Sequence, residues 1–200
     1  SPLLPQLNSQ QIADTLYQLE GGGWSLKHSW LTETVIHRGG RQLTGLIALL
    51  VLVSIVTCSY VPAYQKYQFD LIYVLASALI SGIVISLLKE ASQANCPWDL
   101  ARYGGDQAFL LTQDGGRCFP AGHASAGYGW FGFFYFATTH FPHYRLSVLF
   151  AVIALGAIFG IAQQFRGAHF LSHDLTTMWI CWAVATATYY LMPAIFRRSQ

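Results

Sequence analysis

The chain has 200 residues, of which 54% are hydrophobic and only 10% charged, and its mean hydropathy is +0.39. Soluble domains carry about 25% charged residues, so this composition points to a membrane protein. A net charge of +2 with no basic tract offers no surface for nucleic acid, and four cysteines are too few for a disulfide scaffold.

Residues 1–42 form the one long polar part. Asn8 or Ser9 is placed to cap a short helix running to Glu20, with Ile12, Leu16 and Leu19 along one face. Gly21, Gly22 and Gly23 break it. Trp24, Trp30 and Ile36 then interleave with Lys27, His28, His37 and Arg38. Aromatic and basic residues mixed in this way suit an interfacial helical segment at the lipid headgroups, and equally a polar cap packed on the loops. His28, His37, His140 and His143 are read as interfacial. The sequence opens on Ser1 rather than Met, so a signal or a further span is expected upstream.

Five apolar runs follow, over about 43–60, 69–88, 124–139, 146–162 and 175–196. Each is near the ~20 residues with which a helix crosses a bilayer. Helices satisfy their own backbone in lipid, so the expected fold is all-α, an integral membrane bundle of five transmembrane helices. Residues 1–42 form its polar segment, and 43–200 its transmembrane part. In the third run Gly127, Gly129 and Gly132 predict close helix contact. Successive spans alternate direction. The end of the second run, the start of the third and the end of the fourth therefore share one side, together with residues 1–42.

That side receives the ionisable residues. Lys89 through Arg102 lies after the second run, and Arg117 through His123 lies before the third. Arg166, His169, His173 and Asp174 fall between the fourth and fifth. Ionisable groups this dense between apolar runs mark a functional site. Lys89 alone reads as a snorkelling anchor, and each histidine alone as a satisfied helix-start residue. Together on one side, they suit gripping a phosphate.

At these residues the chain resembles the type 2 phosphatidic acid phosphatase (PAP2) superfamily of membrane lipid phosphatases, over about residues 69–195. Lys89 is followed after six residues by Cys96-Pro97, where the family's first motif has Lys-x6-Arg-Pro. Pro120-Ala121-Gly122-His123 matches its Pro-Ser-Gly-His motif. His169 matches the nucleophile of its Ser-Arg-x5-His-x3-Asp motif, with Gln163 at the arginine position and His173 at the aspartate position. Arg102 and Arg166 stand near the two missing arginines, and Asp174 next to the expected carboxylate. The pattern resembles a divergent bacterial branch that places the same groups from shifted positions.

The resemblance implies a lipid phosphatase that works without metal or cofactor, acting on an isoprenyl pyrophosphate, a phosphatidic acid-type lipid or a lipid A phosphate. His169 is then the nucleophile and His123 the acid and base, with Asp174 or His173 orienting His169. Lys89, Arg102 and Arg166 bind the phosphate, with Arg117 as a weaker candidate. It also implies six spans in the intact protein, a place in the bacterial inner membrane and a site facing the periplasm. Basic residues count four on the short-loop side against seven on the polar side, which opposes an outward-facing site. With Lys89, Arg102, Arg117 and Arg166 set aside as phosphate ligands, the count is four against three and does not settle the orientation. Cys96 and Cys118 lie between Lys89 and His123 in one polar segment and are candidates for a disulfide, which needs an oxidising compartment. Cys58 and Cys181 lie in apolar runs and read as buried thiols. Three alternatives stay open: a lipid-to-lipid phosphotransferase with the same site; a zinc or haem site, from the His169–His173 spacing with Asp174 and His123; and a non-catalytic lipid-binding protein.

Overall fold

The computed structural model describes residues 4–111 and 115–198, with side chains over 9–111 and 115–192. The described residues are helical, without strands, and carry two isolated bridges, Ala94–Leu111 and Leu100–Gln107. α1 is Leu4–Leu19. A π-helical stretch, Trp30–Arg38, runs directly into α2, Gly39–Tyr60. α3 is Gln65–Ser92, α4 Gly122–Tyr128, α5 Gly132–His140, α6 Arg145–Phe165 and α7 Leu171–Arg198.

Three helical rods are long and apolar enough to cross a membrane: Trp30–Tyr60, Pro62–Ser92 and Pro142–Phe165. They expose leucine and isoleucine outward, as at Leu50, Ile83 and Ile158. In water such faces would be costly, and in lipid they are at home. The helices before two of these rods end where the sequence forces them to. Val61 and Phe141 each precede a proline, leave the helical region and start the next rod from a tight turn.

Several expectations from the sequence are corrected. The boundary placed at residue 42 falls inside the rod Trp30–Tyr60, so residues 30–42 of the polar segment and the first apolar run are one continuous helix. The third run is broken into α4, a 3-10 turn over Gly129–Phe131, and α5. The helix of the N-terminal segment covers Leu4–Leu19, so Ser9 lies inside it; the side chain of Asn8 lies outside the described residues. The Ser9 hydroxyl instead accepts the N–H of Ser172 at the start of α7, at 3.1 Å. The packed face of α1 carries Ser9, Ala13 and Tyr17, four residues apart, while Ile12 and Leu19 are exposed.

The main core lies where α3, α4, α5 and α7 meet. Tyr135 stacks on Tyr189, Phe131 meets Trp182 edge-on, and the Tyr73 hydroxyl donates to the Ala185 carbonyl at 3.1 Å. The glycines of the third run bring its neighbours close. A Cβ on Gly127 would fall 2.4 Å from the Gly156 nitrogen of α6, and one on Gly132 would fall 2.6 Å from the Ser77 hydroxyl of α3. At the end of the bundle away from Lys89, His140 bonds Asp70 at 2.6 Å, so that histidine is paired within the bundle.

Gly127→Ala therefore forces α4 and α6 apart. Overpacking costs about 1–3 kcal/mol, and each kcal/mol moves Tm by about 2–4 °C in a chain of this size, so a fall of roughly 5 °C in detergent is expected. Gly45→Ala, which meets nothing within 4 Å, is the control and should leave Tm unchanged or slightly raised. An unchanged Tm for Gly127→Ala would contradict the close approach.

Candidate active site

Lys89 lies in the last turn of α3, His123 at the start of α4, His169 in the link from α6 to α7, and His173 in the first turn of α7. Four separate segments thus deliver side chains to one end of the bundle. Lys89 lies beside Gly122, where a Cβ would sit 3.4 Å from its Nζ. Among the described residues no carboxylate forms an ion pair with Lys89.

Cys96 and Cys118 are bonded, with their Cα atoms 5.2 Å apart across 22 positions of sequence. Closing a loop of that length removes about 3 kcal/mol of unfolded-chain entropy. Buried Cys118 also touches the site: its Sγ lies 2.7 Å from the Ala168 carbonyl and 3.6 Å from His169 Nδ1. The His173 ring meets that of His169 at 5.8 Å between centroids, inclined by 65°. Cys58 and Cys181 are free and buried.

The structure does not bring every expected residue to this point. Arg102 reaches away, pairing with Asp14 of α1 through Nε at 2.7 Å and Nη2 at 2.5 Å. That pair holds the Asp14 carboxyl below its usual range, and Tyr103 adds a further hydrogen bond to it. Arg117 is exposed and paired with Glu90 at 2.7 Å. Asp174 turns toward α6: its Oδ2 accepts from Gln164 at 2.5 Å, and Gly160 leaves the space its carboxylate fills. His173, not Asp174, is the side chain beside His169. His169 precedes α7 rather than sharing a helix with His173, so the ligand atoms that gather are those of Cys118, His169 and His173, within 4.8 Å, without Asp174 or His123.

Arg166 is buried, and residues from the N-terminal segment surround it. Its Nε donates to the Lys27 carbonyl at 3.0 Å, Nη1 to His37 Nδ1 at 2.8 Å, and Nη2 to Glu33 at 2.5 Å. A guanidinium only donates, so His37 Nδ1 is the acceptor and the neutral ring carries its proton on Nε2. The His37 ring lies on that of His123, with centroids 4.0 Å apart. Gln163, at the position of the motif's arginine, bonds His37 at 3.2 Å. His37, Gly40, Arg41 and His123, with Ile36 and Phe159, line a cavity of ≈ 200 Å³. Sequence reasoning missed His37, Glu33 and Arg41 as site residues. The signal was present in the spacing His37–Arg41, which puts both on one helix face directed at the polar end.

The field in this cluster is positive. Burial, and then His37, Lys89, Arg41 and Arg166, pull His123 down to about 4. Burial, and then His173, Lys89 and His123, hold His169 well below the usual imidazole range. Both rings are therefore neutral near pH 7. A neutral imidazole has the free electron pair a nucleophile needs. Lys89, Arg41 and Arg166 supply charge suited to an anion. The arrangement can receive a phosphoryl group on one histidine while a second lies close enough to feel its charge.

The long apolar helices suggest a membrane protein, and two neutral histidines among basic side chains suit the binding of an anion. The family model of the PAP2 superfamily matches residues 70–197, and the chain belongs to that superfamily, whose members are phosphatase-type hydrolases. The match runs from α3 through α7 and takes in Lys89, His123 and His169. Comparison with curated proteins and with solved structures gives no match.

The low His123 pKa has a consequence for stability. Between 6.5 and about 4 the unfolded chain takes up a proton at His123 that the folded chain does not. Stability is therefore complete above pH 6.5 and declines as the pH falls toward 4, by on the order of 2 kcal/mol. Melting curves from pH 7 downward should show Tm falling, and less steeply in His123→Gln. Parallel curves for the two proteins would contradict the buried neutral imidazole.

Proposed function

We propose that the chain is a multi-pass membrane lipid phosphatase that removes a phosphate or pyrophosphate from a lipid through a phosphohistidine on His169. The observation that carries this is the meeting of half-buried Lys89 and His123 with buried His169 in one basic cluster inside the family match. His169 attacks phosphorus, and the bond to the leaving oxygen breaks. His123 supplies the proton to that oxygen, then takes one from the water that releases phosphate from His169. A bound phosphate dianion offsets Lys89 and Arg41 and so raises the His123 pKa from its resting value toward the range where it can donate. Lys89, Arg41 and Arg166 stabilise the charge on the phosphoryl oxygens. His173 and the Cys118 backbone hold the His169 ring.

The cavity of ≈ 200 Å³ is smaller than the ~300–1,000 Å³ of sites that enclose a whole drug-sized ligand. That suits a headgroup whose chains stay in the bilayer. The substrate class is an isoprenyl pyrophosphate, a phosphatidic acid-type lipid or a lipid A phosphate. In this reading the broken unit α4–α5 and the helix α7 add two spans to the three rods, giving five, with six in the intact protein. The disulfide supports placing the site on the oxidising side, the periplasmic face of a bacterial inner membrane.

His169→Ala should lower turnover by roughly three orders of magnitude or more while Tm stays close to that of the wild type. Phosphate release from a panel of these lipids in detergent is the measurement. Activity within about tenfold of wild type would overturn the nucleophile assignment. Turnover of the disulfide-bonded enzyme should also survive dialysis against EDTA, because Lys89, Arg41 and Arg166 provide the charge; loss on dialysis with rescue by zinc would overturn the metal-independent reading.

A further inference from the structure

The Cys96–Cys118 bond lies against the histidine proposed as the nucleophile, and its sulfur is a latent metal ligand. Sγ of Cys118 and one ring nitrogen each of His169 and His173 lie within 4.8 Å of one another, and all three residues are buried. His173 Nδ1 has no hydrogen-bond partner and is enclosed by protein. While the disulfide stands, this trio offers two imidazoles and no thiolate, and Lys89 is the charged side chain nearby. A divalent cation gains little there. A thiolate at Cys118 changes that, because Cys-His-His is a ligand set that holds zinc with a fourth position open.

We propose that reduction of Cys96–Cys118 creates an inhibitory site for a soft divalent cation such as zinc, formed by Cys118, His169 and His173. Cys96 is partly exposed and Cys118 fully buried, so an incoming dithiol meets Cys96 first. One thiolate of the dithiol attacks Cys96 sulfur, the disulfide breaks, and Cys118 leaves as a thiolate. The second thiol of the reductant then attacks the mixed disulfide. The reductant ends as a cyclic disulfide, and Cys96 ends as a thiol. Zinc bonds the Cys118 sulfur in place of a proton and takes an electron pair from each imidazole. His169 is then no longer free to attack phosphorus. This inhibitory consequence rests on the nucleophile assignment above; the metal binding does not, and is read separately.

The test uses the whole protein in detergent, as purified and after dithiol treatment with removal of the dithiol by anaerobic gel filtration. Zinc is added, unbound zinc is washed away, and the metal is counted by elemental analysis. A parallel sample receives cobalt, whose bond to a thiolate gives a near-ultraviolet charge-transfer band. About one zinc per chain is expected in the reduced protein and essentially none in the oxidised protein. Cys96→Ser, which leaves Cys118 free, should take up zinc without reductant. Cys118→Ser should show no thiolate band after reductant, whereas a variant lacking Cys58 and Cys181 should keep it. Equal zinc in oxidised and reduced protein, or a thiolate band in Cys118→Ser, would overturn the proposal. So would failure of both the reduced wild type and Cys96→Ser to hold zinc. Retained zinc with unimpaired turnover would leave the metal site standing and remove His169 as the nucleophile.

Discussion

The bond between Cys96 and Cys118 is the constraint from which the site end of the bundle follows. It ties the segment after α3 to the segment before α4, and it presses Cys118 onto Ala168 and His169. Lys89 is seven positions before one cysteine, and His123 five positions after the other. A single covalent link thus limits the freedom of all three motif segments. It acts where helix packing cannot, because among the described residues 93–121 hold only short 3-10 turns, loops and two isolated bridges. Without it, bringing two histidines and a lysine together would oppose the full entropy of that loop.

The N-terminal segment is the second half of the construction. Trp24 lies on Gly167, where a Cβ would fall 2.4 Å from the indole and the backbone has φ +68°, so a glycine fits both the turn and the contact. Lys27 Nζ sits 4.2 Å over the Trp98 ring, and the Trp98 N–H reaches the Gly167 carbonyl at 2.9 Å. Arg166 ties these pieces to Glu33 and His37. Because Trp30–Tyr60 is one rod, Glu33 and His37 are carried on the same helix as the first apolar run. His37, on that rod, meets His123 at the polar end.

What the sequence made legible, and what it hid, follows from the range of the interactions. Lys89, His123 and His169 could be placed on one side by counting spans, since alternation across a bilayer is a global constraint that needs no contact information. Arg102 could not be followed, because its partner Asp14 is 88 positions away and a surface guanidinium settles wherever a carboxylate is offered. His37 was read as interfacial for the same reason: its contact with Arg166 spans 129 positions. The break between α4 and α5 left no mark in hydropathy, since a 3-10 turn and an α-helix bury the same apolar residues. Asp174 and His173 are adjacent in sequence but diverge by about 100° around α7, which sends one to Gly160 and the other to His169.

The central claim is that phosphorus passes through His169. The most direct measurement is acid-free rapid quenching of the enzyme during turnover of a phosphorus-labelled lipid, followed by mass mapping of the labelled peptide. The account predicts a base-stable, acid-labile phosphoryl group on His169, absent when His123 and Lys89 are intact but His169 is replaced by alanine. A label on another residue, or rapid turnover with no label at any quench time, would contradict it.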